Sequence, residues 1–238
     1  MAPVQFPRRR FMQAIAGTSV LALLGCTREQ TMVTLYTFGD SILDCGRYNE
    51  SGVHPGQLLV QNDDRLFPEF QGQDLASRGP ARLDHRARDG ATVEGLQLQV
   101  QGLQVQEPAI ALITIGGNDL LGGLIGDRGV GMTTFANALD CFVQQLPIRP
   151  VLLGNVYDPT LGDDNRNFLG IEAKVARKNL ERMNRAVADI AHRYGQLIDL
   201  HAHFLSGDLS WFTATIEPSL KGASEVRRAF LPYVLRIR

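Results

Sequence analysis

The sequence predicts a parallel α/β fold, and three observations predict it. Short apolar runs alternate with longer amphipathic ones. Two of the short runs, 109–115 and 150–157, are apolar over several consecutive residues instead of at every second position. The longer runs repeat apolar residues at spacings of three and four. Continuous apolar runs suit strands covered on both faces, as in a parallel sheet between helices. Strands alternating with helices imply right-handed crossovers between parallel neighbours.

Five strands are expected: "MVTLYTF" (32–38), a weaker run "ARLDHRA" (81–87), "AIALITI" (109–115), "PVLLGNVY" (150–157) and "QLIDL" (196–200). Helices are expected between and after them. The first is "TVEGLQLQVQGL" (92–103). The second, at 133–146, places Phe135, Leu139, Phe142 and Leu146 on one face and stops at Pro147. The third, at 170–195, carries Ile171, Val175, Leu180, Met183, Val187 and Ile190 at near-helical spacing, with Gly195 as its C-cap. The last, at 223–235, contains Pro232, a kink or an end.

With 238 residues the chain is long enough for one sizeable core. A net charge of −1 gives no overall attraction to nucleic acid or to an anionic membrane, and there is no basic stripe or zinc-finger spacing. No nucleic-acid partner is expected.

The N-terminus differs in composition. Arg8, Arg9 and Arg10 precede a mostly apolar stretch from Phe11 to Gly25, too short for a spanning helix of about 20 apolar residues. A charged n-region followed by an h-region reads as an export signal, and "RRRFM" has the look of a twin-arginine one. "LLGC" resembles a bacterial lipobox, in which Cys26 would take the lipid. Residues 1–26 are therefore set apart from a single domain at 27–238. Removing three arginines and no acidic residue takes the net charge from −1 to −4. The expectation is a bacterial periplasmic or cell-envelope protein held to the membrane through Cys26. Cys45 and Cys141 lack metal spacing and read as buried free thiols.

In a parallel α/β sheet, ligands bind at the carboxyl ends of the strands. Four features fall there or beside it: "GDS" at 39–41, Gly90 in "RDGATVEGL", "GGND" at 116–119, and "IEPSLKGASEV" before the last helix. A serine at a strand end can present its hydroxyl to the crevice. Gly90 allows close backbone approach and offers an N–H, and Asn118 can add an amide donor. Such donors make an oxyanion hole, where each is worth about 3–4 kcal/mol. Taken singly, each has a bland reading: a turn serine, a turn glycine, a helix N-cap.

Taken in order and at this spacing, they resemble the blocks of the SGNH/GDSL hydrolases, over about residues 35–232. The resemblance implies a three-layer α/β/α sandwich with a five-stranded, flavodoxin-like parallel sheet. It implies Ser41 as nucleophile, with the N–H groups of Ser41 and Gly90 and the Asn118 amide as oxyanion donors. The implied reaction is hydrolysis of carboxylic esters, acyl or acetyl, through an acyl-serine, with no metal or organic cofactor. The expected substrate is a small-molecule or glycan ester.

The fourth block departs from the family pattern, Asp-x-x-His-Pro. Here the sequence is "TATIEPSLKG": Glu217 stands at the histidine position and Ala214 at the aspartate position. Glu217 itself is one candidate base, although a carboxylate needs a burial-raised pKa to serve a serine hydroxyl. His203 is another. In "LIDLHAHFLSGD", Asp199, His201 and His203 would share a face if the fifth strand continued through them, and they are also the set to consider for a metal. His54, thirteen residues past Ser41, is a weaker candidate, while His85 and His192 read as structural. Two rivals to a hydrolase follow. One is a catalytically impaired member that binds a glycan or acyl ligand. The other is a flavodoxin-like electron carrier, for which "GDSILDCG" is short of phosphate-binding hydroxyls.

Overall fold

Strand β1 (Val33–Gly39) is buried along its whole length and is paired on both sides within the sheet. The computed structural model describes residues 1–2 and 31–237. The segment read as an export signal, with Cys26, lies outside the described residues. After β1 come α1 (Pro55–Val60), β2 (Ala81–His85), α2 (Leu96–Gln99), β3 (Ala109–Thr114), α3 (Gly117–Leu121), α4 (Val130–Gln145) and β4 (Val151–Gly154). The chain ends with α5 (Ala173–Tyr194), β5 (Gln196–Ile198), α6 (Leu200–Leu205), the short pair β6 (Phe212–Thr213) and β7 (Glu217–Pro218), and α7 (Leu220–Val234).

The five main strands pair in parallel in the order β2-β1-β3-β4-β5. Side chains on a strand point alternately to opposite faces, and here both faces are apolar. Tyr36 and Phe38 of β1, with Ile113 of β3 and Leu153 of β4, join a core completed by α4 and α5. Val33 and Leu35, with Leu112 and Leu152, join a second core completed by α1, α6 and α7. The molecule is thus the expected α/β/α sandwich. The weak second run is explained by position: β2 is an edge strand, half-buried throughout.

The α4 stripe is as expected: Phe135, Leu139 and Phe142 are buried, at about 1.5–3 kcal/mol for each such side chain. The third helix differs at its start. It begins at Ala173 and buries Ala176 and Leu180, while Val175 is exposed. Gly195 ends that helix in extended backbone (φ −172°), not as a left-handed cap, because β4 passes so close that a Cβ would lie 2.0 Å from the Val151 carbonyl oxygen. The α7 helix continues past Pro232 to Val234.

The helix expected at 92–103 is reduced to a 3₁₀ turn, Val93–Gly95, and the single turn of α2. Gln99 is drawn inward there: its side chain accepts from the Gly39 N–H (2.7 Å) and donates to the Gly39 carbonyl (2.8 Å). The fifth strand stops at Ile198, and Asp199 caps α6 by accepting from the Ala202 N–H. The 199–203 segment is therefore helical, and Asp199, His201 and His203 do not share a face as they would on a strand. Cys45 is buried as expected, Cys141 is exposed, and both are free thiols. No helix among the described residues is long and apolar enough to cross a membrane.

Candidate active site

In this strand order the direction of winding reverses between β1 and β3, and the crevice opens beyond their carboxyl ends. The two strands must separate there while staying close. Gly39 meets that need: it has φ +122°, and a Cβ would sit 1.7 Å from the Thr114 carbonyl oxygen. The Asp40 N–H then donates to Thr114 O (3.1 Å), and the Asp44 N–H donates back to Asp40 O (3.0 Å), closing one turn that carries Ser41. The Asp40 carboxylate accepts from the Ile42 N–H (3.2 Å) and the Thr114 hydroxyl (3.1 Å), which braces this turn against β3. Burial is the main force raising the Asp40 pKa to about 7, against those two hydrogen bonds. Its Oδ2 is buried without a hydrogen-bond partner.

Asn118 lies in the first turn of α3 and not at a strand terminus. Its side-chain amide donates to the Ala91 carbonyl (2.9 Å), which leaves its second N–H free. Gly90, at φ +78°, sits one residue before that carbonyl. Asp119 accepts from the Val93 N–H at 3.1 Å, a second tie between α3 and the Gly90 turn. On the other side, Asp44 accepts from the Asp89 N–H (2.9 Å) and from His85 Nε2 (3.1 Å), whose Nδ1 meets the Thr37 hydroxyl (2.7 Å). The serine turn, the glycine turn and the asparagine helix are therefore hydrogen-bonded into one frame.

Glu217 is brought to the serine by the small hairpin. β6 and β7 pair antiparallel, Thr213 opposite Glu217, and the turn between them holds Ala214 and Thr215 at φ 45° and 74°. The Tyr157 hydroxyl donates to Ile216 O (2.7 Å) and pins the turn to the end of β4. Ser219 caps α7 by accepting from the Gly222 N–H. Glu217 is 8% exposed, and burial raises its pKa. The adjoining Ser41 hydroxyl opposes this, Asp89 adds to the rise and Arg47 lowers it. Its Oε2 is buried without a partner. Ser41 and Glu217 thus adjoin each other. Ala214 is exposed, and no carboxylate stands in its place.

His203 is not brought to the serine. It meets Glu225 of α7 (3.0 Å), and its ring packs 5.3 Å from that of Trp211. Asp199 receives the Asn155 amide (2.9 Å), and Asn155 Oδ1 accepts from the His201 N–H (2.8 Å). Among the described residues, no three His, Cys, Asp or Glu side chains are grouped to hold a metal. His54 stacks on His85 at 4.0 Å. Burial first, and then His85, depress its pKa to about 4, with Asp44 opposing.

Sequence reading passed over a small cluster at the rim. Asp89 accepts from Arg47 (2.9 Å) and from the Tyr48 hydroxyl (2.9 Å). Burial, then the Asp89 hydrogen bond, then the charge of Glu217 push Tyr48 up to about 12. The only sequence signal for this cluster was the acidic residue beside Gly90.

A serine and a carboxylate adjoining each other at the mouth of a parallel α/β sheet, with an amide and a glycine turn held beside them, define a hydrolase-type site on a doubly wound fold. Residues 37–223 match the model of the GDSL-like lipase/acylhydrolase family, and the chain belongs to that family. No curated protein matches the sequence. Among solved structures, a lipase/acylhydrolase of Enterococcus faecalis superposes with a TM-score of 0.62 at 18% identity, covering 87% of this chain and 98% of that one. An acetylxylan esterase of Geobacillus stearothermophilus gives 0.60 at 20% identity, covering 86% and 94%. An α/β hydrolase from the metagenome of Lake Arreo, Spain, gives 0.59 at 22% identity, covering 87% and 96%. These likenesses establish the fold.

Proposed function

We propose that the protein is a serine hydrolase of carboxylic esters in which Glu217 replaces histidine as the general base. The carrying observation is that the fourth block, despite its altered residues, still delivers a buried titratable side chain to Ser41. Ser41 Oγ attacks the acyl carbon and passes its proton to the Glu217 carboxylate. The oxyanion is received by the Ser41 and Gly90 N–H groups and by the free N–H of the Asn118 amide. Glu217 returns the proton to the departing alkoxide, and water, activated by the same carboxylate, releases the acid from the acyl-serine. A carboxylate of ordinary pKa is a weak base for this task, and burial in the hairpin strengthens it.

The base must be ionised. Activity is therefore lost as pH falls through a value above the ordinary Glu value of 4.5, since burial raises the Glu217 pKa. The proposal includes export and anchoring through Cys26, supported by the n-region, h-region and "LLGC" of the sequence. The substrate is a small-molecule or glycan ester, consistent with family membership.

The test is hydrolysis of p-nitrophenyl esters across pH by wild type, Ser41→Ala, Glu217→Gln and His203→Ala. Loss of activity in the first two, with His203→Ala near wild type, is expected. Equal rates in all four would sink the reading. A second reading, a ligand-binding member with impaired turnover, draws on the exposed Ala214 where an orienting aspartate belongs. Failure of a serine-directed phosphonate to label Ser41 would favour it.

A further inference from the structure

Beside Ser41 and Asn118 lies a cavity of about 110 Å³. Its buried walls are mainly apolar: Ile42 of the serine turn, Leu120 of α3, Ile125 of the following turn, and Ala176 and Leu180 of α5 line it, while Asp158, Thr160 and Asn167 add half-buried polar groups. Leu121 and Phe168, both exposed, continue the apolar surface to the mouth, where an Arg177–Asp164 ion pair stands. None of its buried lining residues carries a charge. An apolar space of about 150 Å³ accommodates benzene. By that measure an acetyl methyl would leave most of this cavity empty, and a chain of about four to six carbons would fill it.

We infer that the acyl half of the substrate is a short-to-medium aliphatic chain, longer than acetyl, lying between α3 and α5. The inference rests on Ser41 as nucleophile only to place the acyl carbon at the cavity's entrance. The wall chemistry is independent of that role. Each methylene entering an apolar wall gains from leaving water, so a pair of well-seated methylenes is worth about tenfold in kcat/KM.

Two measurements on the full chain test this. In the first, kcat/KM is measured for p-nitrophenyl acetate, butyrate, hexanoate, octanoate and dodecanoate. It is expected to rise at least tenfold from acetate to hexanoate and to fall by dodecanoate. Ala176→Phe, which fills the cavity, should return the preference to acetate. Leu180→Ala, which enlarges it, should move the optimum to a longer chain. Acetate turned over as well as hexanoate, with Ala176→Phe indifferent, would overturn the inference while leaving the hydrolase reading intact. In the second, calorimetry measures acetamide and hexanamide binding to Ser41→Ala. Hexanamide is expected to bind at least tenfold more tightly, and Ala176→Phe in the same background should abolish the difference. Should hexanamide bind in this way while no ester is cleaved above the Ser41→Ala rate, the cavity assignment stands and the hydrolase reading falls. Should hexanamide bind no better than acetamide, the assignment falls.

Discussion

Ser41 and Asn118 follow the ends of β1 and β3, strands buried along their whole length, whereas Glu217 stands on a hairpin of two residues a side. The donor half of the crevice is braced from several directions: Asp40 against Thr114, Gln99 against Gly39, Asn118 against Ala91, Asp44 against Asp89. The base half depends on a turn with two non-glycine residues at positive φ and on the Tyr157 hydroxyl. Such φ values cost on the order of 1–3 kcal/mol each and persist only where the surroundings enforce them. The contrast teaches that the proposed oxyanion donors, a role that requires fixed dipoles, are the part braced by the sheet. The proposed base, Glu217, is carried on a separate, lightly held piece.

The comparison can be broken most severely at Asp40. Its pKa is raised from the ordinary 3.8 to about 7, chiefly by burial. Between these values the unfolded chain ionises Asp40 while the folded chain does not. Stability present below pH 4 is thus lost as pH rises to about 7, by on the order of 4 kcal/mol. Asp40→Asn should remove that slope, measured by urea unfolding at pH 4.5 and 7.5. An unchanged slope would remove Asp40 from the account of the serine turn.

Asn118→Ala should lower kcat by about 10²–10³ with little change in KM, the signature of a donor used in the transition state. A loss confined to KM would make Asn118 a substrate-binding or merely structural residue.

The base half invites restoration. Ala214→Asp combined with Glu217→His rebuilds the family's fourth block in place. General base catalysis contributes about 10²–10⁴, so a gain of about tenfold near pH 7.5 is a modest expectation. A double variant that folds and is inactive would show that this hairpin cannot present a histidine to Ser41.

The smallest effect is expected for Tyr157→Phe, which frees the hairpin turn from its tether. It should cost about 1 kcal/mol of stability and lower kcat several-fold without altering the pH profile. No effect on kcat would show that the hairpin is positioned by β6 and Ser219 alone.

Much of this was legible in the chain. The apolar runs at 109–115 and 150–157 correspond to buried strands, and the α4 stripe packed as its spacing required. Ser41 and Gly90 lie in turns that close the ends of β1 and β2, as the strand-end rule anticipates. The misreadings share one cause: short segments in which local pattern and capping compete. "LIDLHAHF" alternates like a strand, yet Asp199 accepts from the Ala202 N–H and a helix starts. The 92–103 run is apolar at helical spacing, yet Gln99 is spent on Gly39 and the helix lasts one turn.

Order along the chain was enough to establish the α/β class and the candidacy of Ser41, Gly90 and Asn118, because strand periodicity and turn chemistry are local properties. Local sequence left several candidate bases, Glu217 and His203 foremost among them, without a means to choose. Tertiary packing separated them: α7 holds His203 through Glu225, while the hairpin, fastened by Tyr157, turns Glu217 inward to Ser41. The acyl cavity has the same origin. Its walls come from the serine turn, α3 and α5, segments spread between Ile42 and Leu180, and their convergence follows from crossovers on the sheet and not from any one stretch of sequence.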